Sequence, residues 1–233
     1  GCADRCRPVA GTVFLMPERK PPHTASIAHA ALGEKLSAPA ALRNADALCD
    51  VIGIYAPKDG RALEIASGTG QHVLRFAAVR PDLVWQPTDI ADDRLASINA
   101  YIAEAQVSNV RRAQRLDATH PGWAAEHAGS SLILLINLLH LISHAETEIL
   151  IRESAKALTA QGVFILYGPF TRAGEFTSQG DLSFHDSLVS QDPDIGYKDD
   201  FDVIDLAQSA GLDLRAAIEM PANNLALIFV RPA

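Results

Sequence analysis

Cysteine is scarce in this chain: Cys2, Cys6 and Cys49 are the only three in 233 residues. They are too few and too scattered for a disulfide framework, and Cys2 and Cys6 in "GCADRCRP" have no second ligand pair downstream to close a zinc site. The reducing cytosol is therefore the expected compartment. Basic residues are also short, with 20 Lys and Arg against 28 Asp and Glu, a net charge of −8. Phosphate backbones are held by a surplus of cations, so this balance argues against nucleic acid as a partner. The local run Arg111, Arg112 and Arg115 reads as a solvated strand edge. Long apolar stretches are missing too. The longest, "SLILLINLLHLI" from 131 to 142, is broken by Asn137 and His140. It falls short of the ~20 residues that cross a bilayer and reads as a buried strand running into a loop, so no membrane partner is expected. The first residues show no charged-then-apolar signal pattern.

What is present is an ordinary folded balance, 48% hydrophobic and 21% charged, long enough for one sizeable core. Residues 1–25 are Pro-rich and aperiodic and are expected to form a flexible arm, leaving 26–233 as a single domain. "APAALRNADALCDVIGIYA" places Leu42, Ala45, Leu48, Cys49 and Ile52 at helical spacing. Apolar runs at "RALEIA", "LVWQPTD", "NVRRAQRLD", "SLILLIN" and "GVFILYG" then alternate with helical stretches, and a shorter helix is expected near "PGWAAEH". Strand and helix in alternation specify a parallel sheet covered on both faces. The end of the chain differs: "LDLRAAIEM", a "PANN" turn and "LALIFV" must pair antiparallel. The expected fold is α/β and Rossmann-like: a seven-stranded, mostly parallel sheet with a C-terminal antiparallel hairpin and helices on both faces. That organisation belongs to methyltransferases and differs from dinucleotide dehydrogenases, which lack the hairpin.

The stretch "LEIASGTGQH" ends the first of these strands. Its Glu64, Gly68 and Gly70, with Ala66 where a third glycine often sits, break the G-x-G-x-x-G spacing of a pyrophosphate cradle, and no P-loop Lys follows. What remains is a tight turn allowing close backbone approach. A ligand with no phosphate but with an amino-acid end and a sulfonium cation suits a nearby acid and free backbone groups. S-adenosylmethionine is such a ligand, with S-adenosylhomocysteine as its product. Asp89 in "WQPTDI" follows Gly70 by 19 residues and suits two ribose hydroxyls; Asp117 in "RLDAT" follows by a further 28 and suits an adenine amine. Asn137 closes the fourth strand, where the methyl group should lie. The flanking Ala66, Ser67, Ile90 and Leu116 complete the expected cofactor site.

Methyl transfer needs a positioned acceptor and a group to remove its proton. His140, three residues past Asn137, is the candidate general base, and Tyr167 in "LYGPF" closes the fifth strand with a hydroxyl available to the acceptor. His72 opens the first crossover helix near the cofactor's amino-acid end. His140 and His144 have helical metal-pair spacing without a carboxylate signature, so no metal is expected. Residues 168–200 form a long, aromatic-rich segment expected to act as a substrate lid. Arg43, Phe170, Phe184 and His185 are the candidate acceptor contacts.

The stretches "APAALRN", "LEIASGTGQH", "WQPTD", "LDAT", "INLLHLI", "LYGPF", "DPDIGYKD" and "MPANNL" resemble the family catalogued as domain of unknown function nine-three-eight, the methyltransferase-like proteins, over about residues 38–230. The run from 138 also resembles the His-containing segment of plant-type small-molecule O-methyltransferases. The resemblance implies a SAM-binding Rossmann-like fold and methyl transfer. Leu42 stands where that family has an acid, "ISHAE" lacks its Trp, and His185 splits Phe184 from Asp186. The cofactor stretches are kept and the acceptor stretches differ, which implies a specialised acceptor. The expectation is a cytoplasmic biosynthetic methyltransferase, monomer or homodimer, acting on a small molecule. A hydroxyl is the first choice of acceptor, with nitrogen and sulfur open. The alternative is a SAM-binding sensor or scaffold without turnover.

Overall fold

A two-residue hairpin, β1 (His29–Ala30) with β2 (Leu36–Ser37), opens the computed structural model, which describes residues 28–30 and 34–233. The arm expected at 1–25, with Cys2 and Cys6, lies outside the described residues. Helix α1 (Pro39–Tyr55) starts with Pro39 at its first position, where a missing N–H costs nothing and φ is preset, and stops before Pro57. Ala45, Leu48 and Ile52 bury its inner face as their spacing requires; Leu42 lies outside that stripe, 54% exposed in the first turns.

The alternating part follows as β3 (Gly60–Ile65), α2 (Gln71–Val79), β4 (Leu83–Asp89), α3 (Asp92–Ala105), β5 (Gln114–Arg115), β6 (Ser130–Ile136), α4 (His144–Ala157) and β7 (Leu158–Thr171). Then come α5 (Gln179–Gln191), β8 (Lys198–Asp199), α6 (Asp200–Ser209), β9 (Asp213–Met220) and β10 (Asn224–Val230). The sheet runs β5-β4-β3-β6-β7-β10-β9. β3 to β7 are mutually parallel, and β10 is antiparallel to both β7 and β9, so the expected seven strands form the main ladder. Two-residue β8 is an addition, pairing with the last two residues of β7.

Side chains alternate across this sheet with period two. Leu63, Ile65, Ile133, Leu135, Phe164 and Leu166 face the layer containing α4 and α6. Ala62, Leu132, Leu134, Val163 and Ile165 face α1 and α2, whose Leu48, Ile52 and Phe76 close over them with Trp85. Strand order reverses between β3 and β6, and ligands of open α/β sheets bind in the crevice outside the carboxyl ends at such a point.

Three elements differ from the periodicity. The helix expected near "PGWAAEH" is a single 3-10 turn, Trp123–Ala125. The strand expected over "NVRRAQRLD" pairs at only two residues plus an isolated bridge from Val110 to Trp85, because exposed Arg111, Arg112, Gln114 and Arg115 leave it a polar edge. Residues 168–200, expected as a long loop-like lid, continue β7 and then fold into α5 and β8.

Candidate functional site

The turn after β3 is built from left-handed backbone: φ is 53° at Ala66, 60° at Gly68 and 88° at Gly70. A Cβ on Gly70 would stand 2.7 Å from the Ile98 Cα of α3, so only glycine lets α2 start this close to α3. A Cβ on Gly68 would meet nothing within 4 Å, so Gly68 faces open space although Ser67, Thr69 and Gly70 beside it are buried. Gly70→Ala combines a left-handed penalty of about 1–2 kcal/mol with a backbone clash. We expect its melting temperature to fall by at least about 5 °C in a scanning calorimeter, given roughly 2–4 °C per kcal/mol for a chain of this size. Gly68→Ala should fall by less.

The turn is tied to the end of β4. Ser67 N donates to Thr88 O at 2.7 Å, Thr88 N donates to Ser67 Oγ at 3.1 Å, and Thr88 Oγ1 donates to Glu64 O at 2.8 Å. Asp89, 7% exposed, takes the Gly68 N–H on Oδ2 at 2.9 Å and the Ala91 N–H on Oδ1 at 3.1 Å. Burial raises its pKa, opposed by those two amides and then by Arg94 and the Ile90 amide. Glu64 is 2% exposed, and its Oε2 has no hydrogen-bond partner. Burial pushes its pKa up to about 8, with Ser67 opposing and the Asp89 charge adding. A buried carboxyl in this state is proton-bound at neutral pH and needs a cation beside it to ionise.

Ile90 and Leu116 are half-buried, and Leu116 N donates to Asp89 O at 3.0 Å. Asp117, also half-buried, caps the next turn. Oδ1 accepts from Thr119 N at 3.0 Å and Thr119 Oγ1 at 2.6 Å, and Oδ2 lies 2.8 Å from His120 Nδ1. Asn137 adopts φ 56° just past β6, donates its N–H to Tyr167 O at 2.8 Å and lies beside Gly168. Glu64, Ala66, Ser67, Gly68, Gly70, Asp89, Ile90, Leu116, Asp117 and Asn137 thus all sit at or just beyond the carboxyl ends of β3 to β6.

His140 lies in the 3-10 turn Leu139–Leu141, 7% exposed, with Nδ1 unpartnered. Burial, helped by the Lys198 charge, lowers its pKa to about 3, so the ring is neutral. Its ring packs 5.8 Å from Phe184 and 6.4 Å from Tyr197, and Gly196 N donates to its carbonyl at 3.0 Å. Phe176 and His185 complete this aromatic roof, their centroids 5.0 Å apart. Tyr167 is not in it. Leu139 and Ile142, which flank His140, pack with the α4 and α6 layer, whereas Tyr167 packs with α1 and α2. Phe170 is 2% exposed in the core, Arg43 is exposed on α1, and His144 is exposed at the start of α4.

Several residues of this region have no local signature. Gln71 Oε1 accepts from Ala38 N at 2.8 Å and Thr69 Oγ1 at 3.0 Å, strapping the chain before α1 onto the glycine turn. Lys198 Nζ, buried, donates to Ile142 O at 2.7 Å and Gly196 O at 2.9 Å, holding the roof to the turn after β6. Asp181 accepts from Tyr197 Oη at 3.0 Å and Asn223 Nδ2 at 2.9 Å, tying α5 to the hairpin turn. Asn44 Oδ1, in the stretch "APAALRN", lies 2.9 Å from His72 Nε2 and ties α1 to the start of α2. Among the described residues no three His, Cys, Asp or Glu gather as metal ligands, and no helix is long and apolar enough to cross a membrane.

Residues 35–231 match the model of a family described as protein of unknown function (DUF938). The architecture also recurs in solved structures. An O-methyltransferase family 2 protein from Planctomyces limnophilus in complex with apigenin superposes at TM-score 0.71 and 16% identity, covering 82% of this chain and 58% of that one. An O-methyltransferase family protein from Burkholderia thailandensis gives 0.70 at 16% identity, covering 83% and 58%. PigF with SAH gives 0.61 at 15% identity, covering 73% and 50%. These likenesses show the fold, and this chain spans little more than half the length of those proteins.

Proposed function

We propose that this chain, which belongs to the DUF938 family, binds S-adenosylmethionine in the crevice at the carboxyl ends of β3, β4 and β6 and transfers its methyl group to a small molecule, first of all to a hydroxyl. The observation that carries this reading is the buried Glu64 carboxyl, whose Oε2 has no hydrogen-bond partner, beside a glycine turn in which Gly68 faces open space. No Lys joins the turn, so the residues suit a cationic amino-acid end better than a phosphate. In this reading Asp89 accepts from the ribose hydroxyls, Asp117 accepts from the adenine amine, and Asn137 lies toward the sulfonium. Bound there, the cofactor supplies an electrophilic methyl group.

The chain's own residues do the rest. His140, neutral and held under Phe184 and Tyr197, accepts the hydroxyl proton, and the rings of 176–197 exclude water around the acceptor. Support for a small-molecule acceptor comes from the relatives of the same fold, one of them solved with apigenin. Nitrogen or sulfur acceptors would use the same roof without needing so strong a base.

Calorimetric titration tests the cofactor assignment. Micromolar binding of S-adenosylmethionine and S-adenosylhomocysteine is expected, with none for NADH; silence from both adenosyl ligands would sink it. Glu64 adds a pH signature. Free, it holds its proton below about pH 8; beside the sulfonium and ammonium it ionises, so binding releases a proton. S-adenosylmethionine affinity should therefore rise between pH 6.0 and 7.5, by up to about tenfold per unit. Glu64→Gln should flatten that slope. An equally steep slope in the variant would assign the proton elsewhere.

A further inference from the structure

The turn that carries His140 does little to orient itself. Leu139–Leu141 is a single 3-10 turn without a side-chain cap, closed by a backbone bond from Leu141 N to Leu138 O at 2.8 Å. So short a turn has poor hydrogen-bond geometry and takes its direction from what packs against it. Two of its carbonyls are held from across the roof, by residues of the stretch "DPDIGYKD". Gly196 N donates to His140 O at 3.0 Å. Lys198 Nζ donates to Ile142 O at 2.7 Å and back to Gly196 O at 2.9 Å, so the two ties form one closed clamp. Between them, Tyr197 N donates to His185 Nδ1 at 3.1 Å, and its ring stands 6.4 Å from the His140 ring.

The clamp is anchored on the sheet. Lys198 pairs with Phe170 and Asp199 with Thr171 at the end of β7, a strand with neighbours on both sides, and Thr171 Oγ1 donates to Asp199 Oδ2 at 2.8 Å. Position 196 needs glycine, because its φ is 128° and a Cβ there would stand 2.8 Å from the His185 ring. Lys198 is only 9% exposed, and a buried ammonium is costly unless bonds compensate for its lost hydration. A neutral amide could satisfy one carbonyl. The ammonium adds three donors on a long stem, which lets one group bridge two segments, and it adds a positive charge near the base. Burial first, and that charge second, lower the His140 pKa, so the ring stands neutral.

We propose that Lys198 is the positioning residue for His140: by tying Ile142 O to Gly196 O it fixes the turn under the aromatic roof, so that the imidazole meets the acceptor in one orientation. The proposal rests on the reading of His140 as the base. A base works only within hydrogen-bond reach of the proton it removes, and a misplacement of about 1 Å can cost about a hundredfold in rate. Lys198 itself touches neither acceptor nor cofactor in this arrangement; it acts through the turn. Its charge has a second use. A proton that reaches His140 stands near a like charge, which favours its release after the methyl group has moved.

The test labels the histidines with nitrogen-15; the chain has eight, and His140→Gln identifies the relevant pair of ring signals. At neutral pH and well below the melting temperature, the native His140 pair is expected to be sharp, with one nitrogen protonated and one bare. Lys198→Met keeps the length of the side chain and removes the ammonium. It should broaden the His140 pair or draw its two signals toward their average, while the His72 and His127 pairs stay in place. Lys198→Arg, which keeps charge and donors, should return the pair to its native form, and Lys198→Gln replaces the Met variant if that one does not fold. With 4-nitrophenol as acceptor, kcat should fall at least tenfold in Lys198→Met, with KM for S-adenosylmethionine within a factor of two. A His140 pair identical to the native one in Lys198→Met and Lys198→Gln would overturn the proposal and leave Lys198 a tie of the fold. Failure of the native chain to bind S-adenosylhomocysteine would instead sink the cofactor reading, since the ring signals are read without any ligand.

Discussion

Asp89→Ala is expected to raise the dissociation constant for S-adenosylmethionine at least a hundredfold in calorimetry while moving the melting temperature by only a few degrees. Two effects set the first number. The carboxylate holds the Gly68 N–H at 2.9 Å and the Ala91 N–H at 3.1 Å, so its loss frees the glycine turn and removes the acceptor proposed for the ribose hydroxyls. Hydrogen bonds to a charged group contribute about 1.5–3 kcal/mol each, and a hundredfold change corresponds to roughly 2.7 kcal/mol, so one ribose contact nearly suffices. The small stability change follows from the burial that raises the Asp89 pKa: removing a buried charge recovers most of what the two amide bonds contributed. Asp89→Asn keeps one acceptor but turns an NH2 toward a backbone N–H, so a loss of about tenfold is expected. Affinity unchanged in Asp89→Ala would remove the residue from the cofactor site.

The features of this region that could be read beforehand are those with a local period or a fixed spacing. Apolar runs at two-residue and helical periods placed the parallel strands and the terminal hairpin, and the strand ends then placed Glu64, Gly68, Asp89 and Asn137 at one crevice. Contacts between distant segments have no such period. Asn44 meets His72 across 28 residues, and Asp181 meets Asn223 across 42, because α1 packs on α2 and the hairpin turn reaches α5. The aromatic segment was recognisable by its rings, but its helix was not. In α5 only Leu188 is buried, so the stripe that marks a helix is nearly absent. Phe170 illustrates the limit of composition: in sequence it belongs to the aromatic lid, yet β7 extends far enough to draw it into the core. Tyr167 closes the fifth strand in sequence and His140 follows the end of the fourth, yet Tyr167 packs with α1 and α2 while the neighbours of His140 in its 3-10 turn pack with α4 and α6.

His140→Ala is expected to lower methyl transfer by about 10²–10⁴-fold while leaving S-adenosylmethionine affinity within a factor of two, since proton removal by a positioned base contributes about that much. The ring's environment adds a condition on the acceptor. Burial and the Lys198 charge bring its pKa to about 3, so the imidazole is unprotonated throughout the neutral range and no rate loss from its own titration is expected down to pH 5. The same environment resists the imidazolium that forms as the proton arrives. An aliphatic hydroxyl would leave that transfer steeply uphill, whereas a phenol, with a pKa near 10, needs far less help. Transfer of tritiated methyl groups to a series of ring-substituted phenols should therefore be faster for the more acidic members. In His140→Ala the rates should fall throughout and depend more steeply on acceptor acidity. Wild-type turnover in the variant would assign His140 to packing beneath Phe184. Tight binding of S-adenosylmethionine by the native chain with no transfer to any acceptor would mean that the aromatic roof closes a sensor, because then nothing beneath it takes a methyl group.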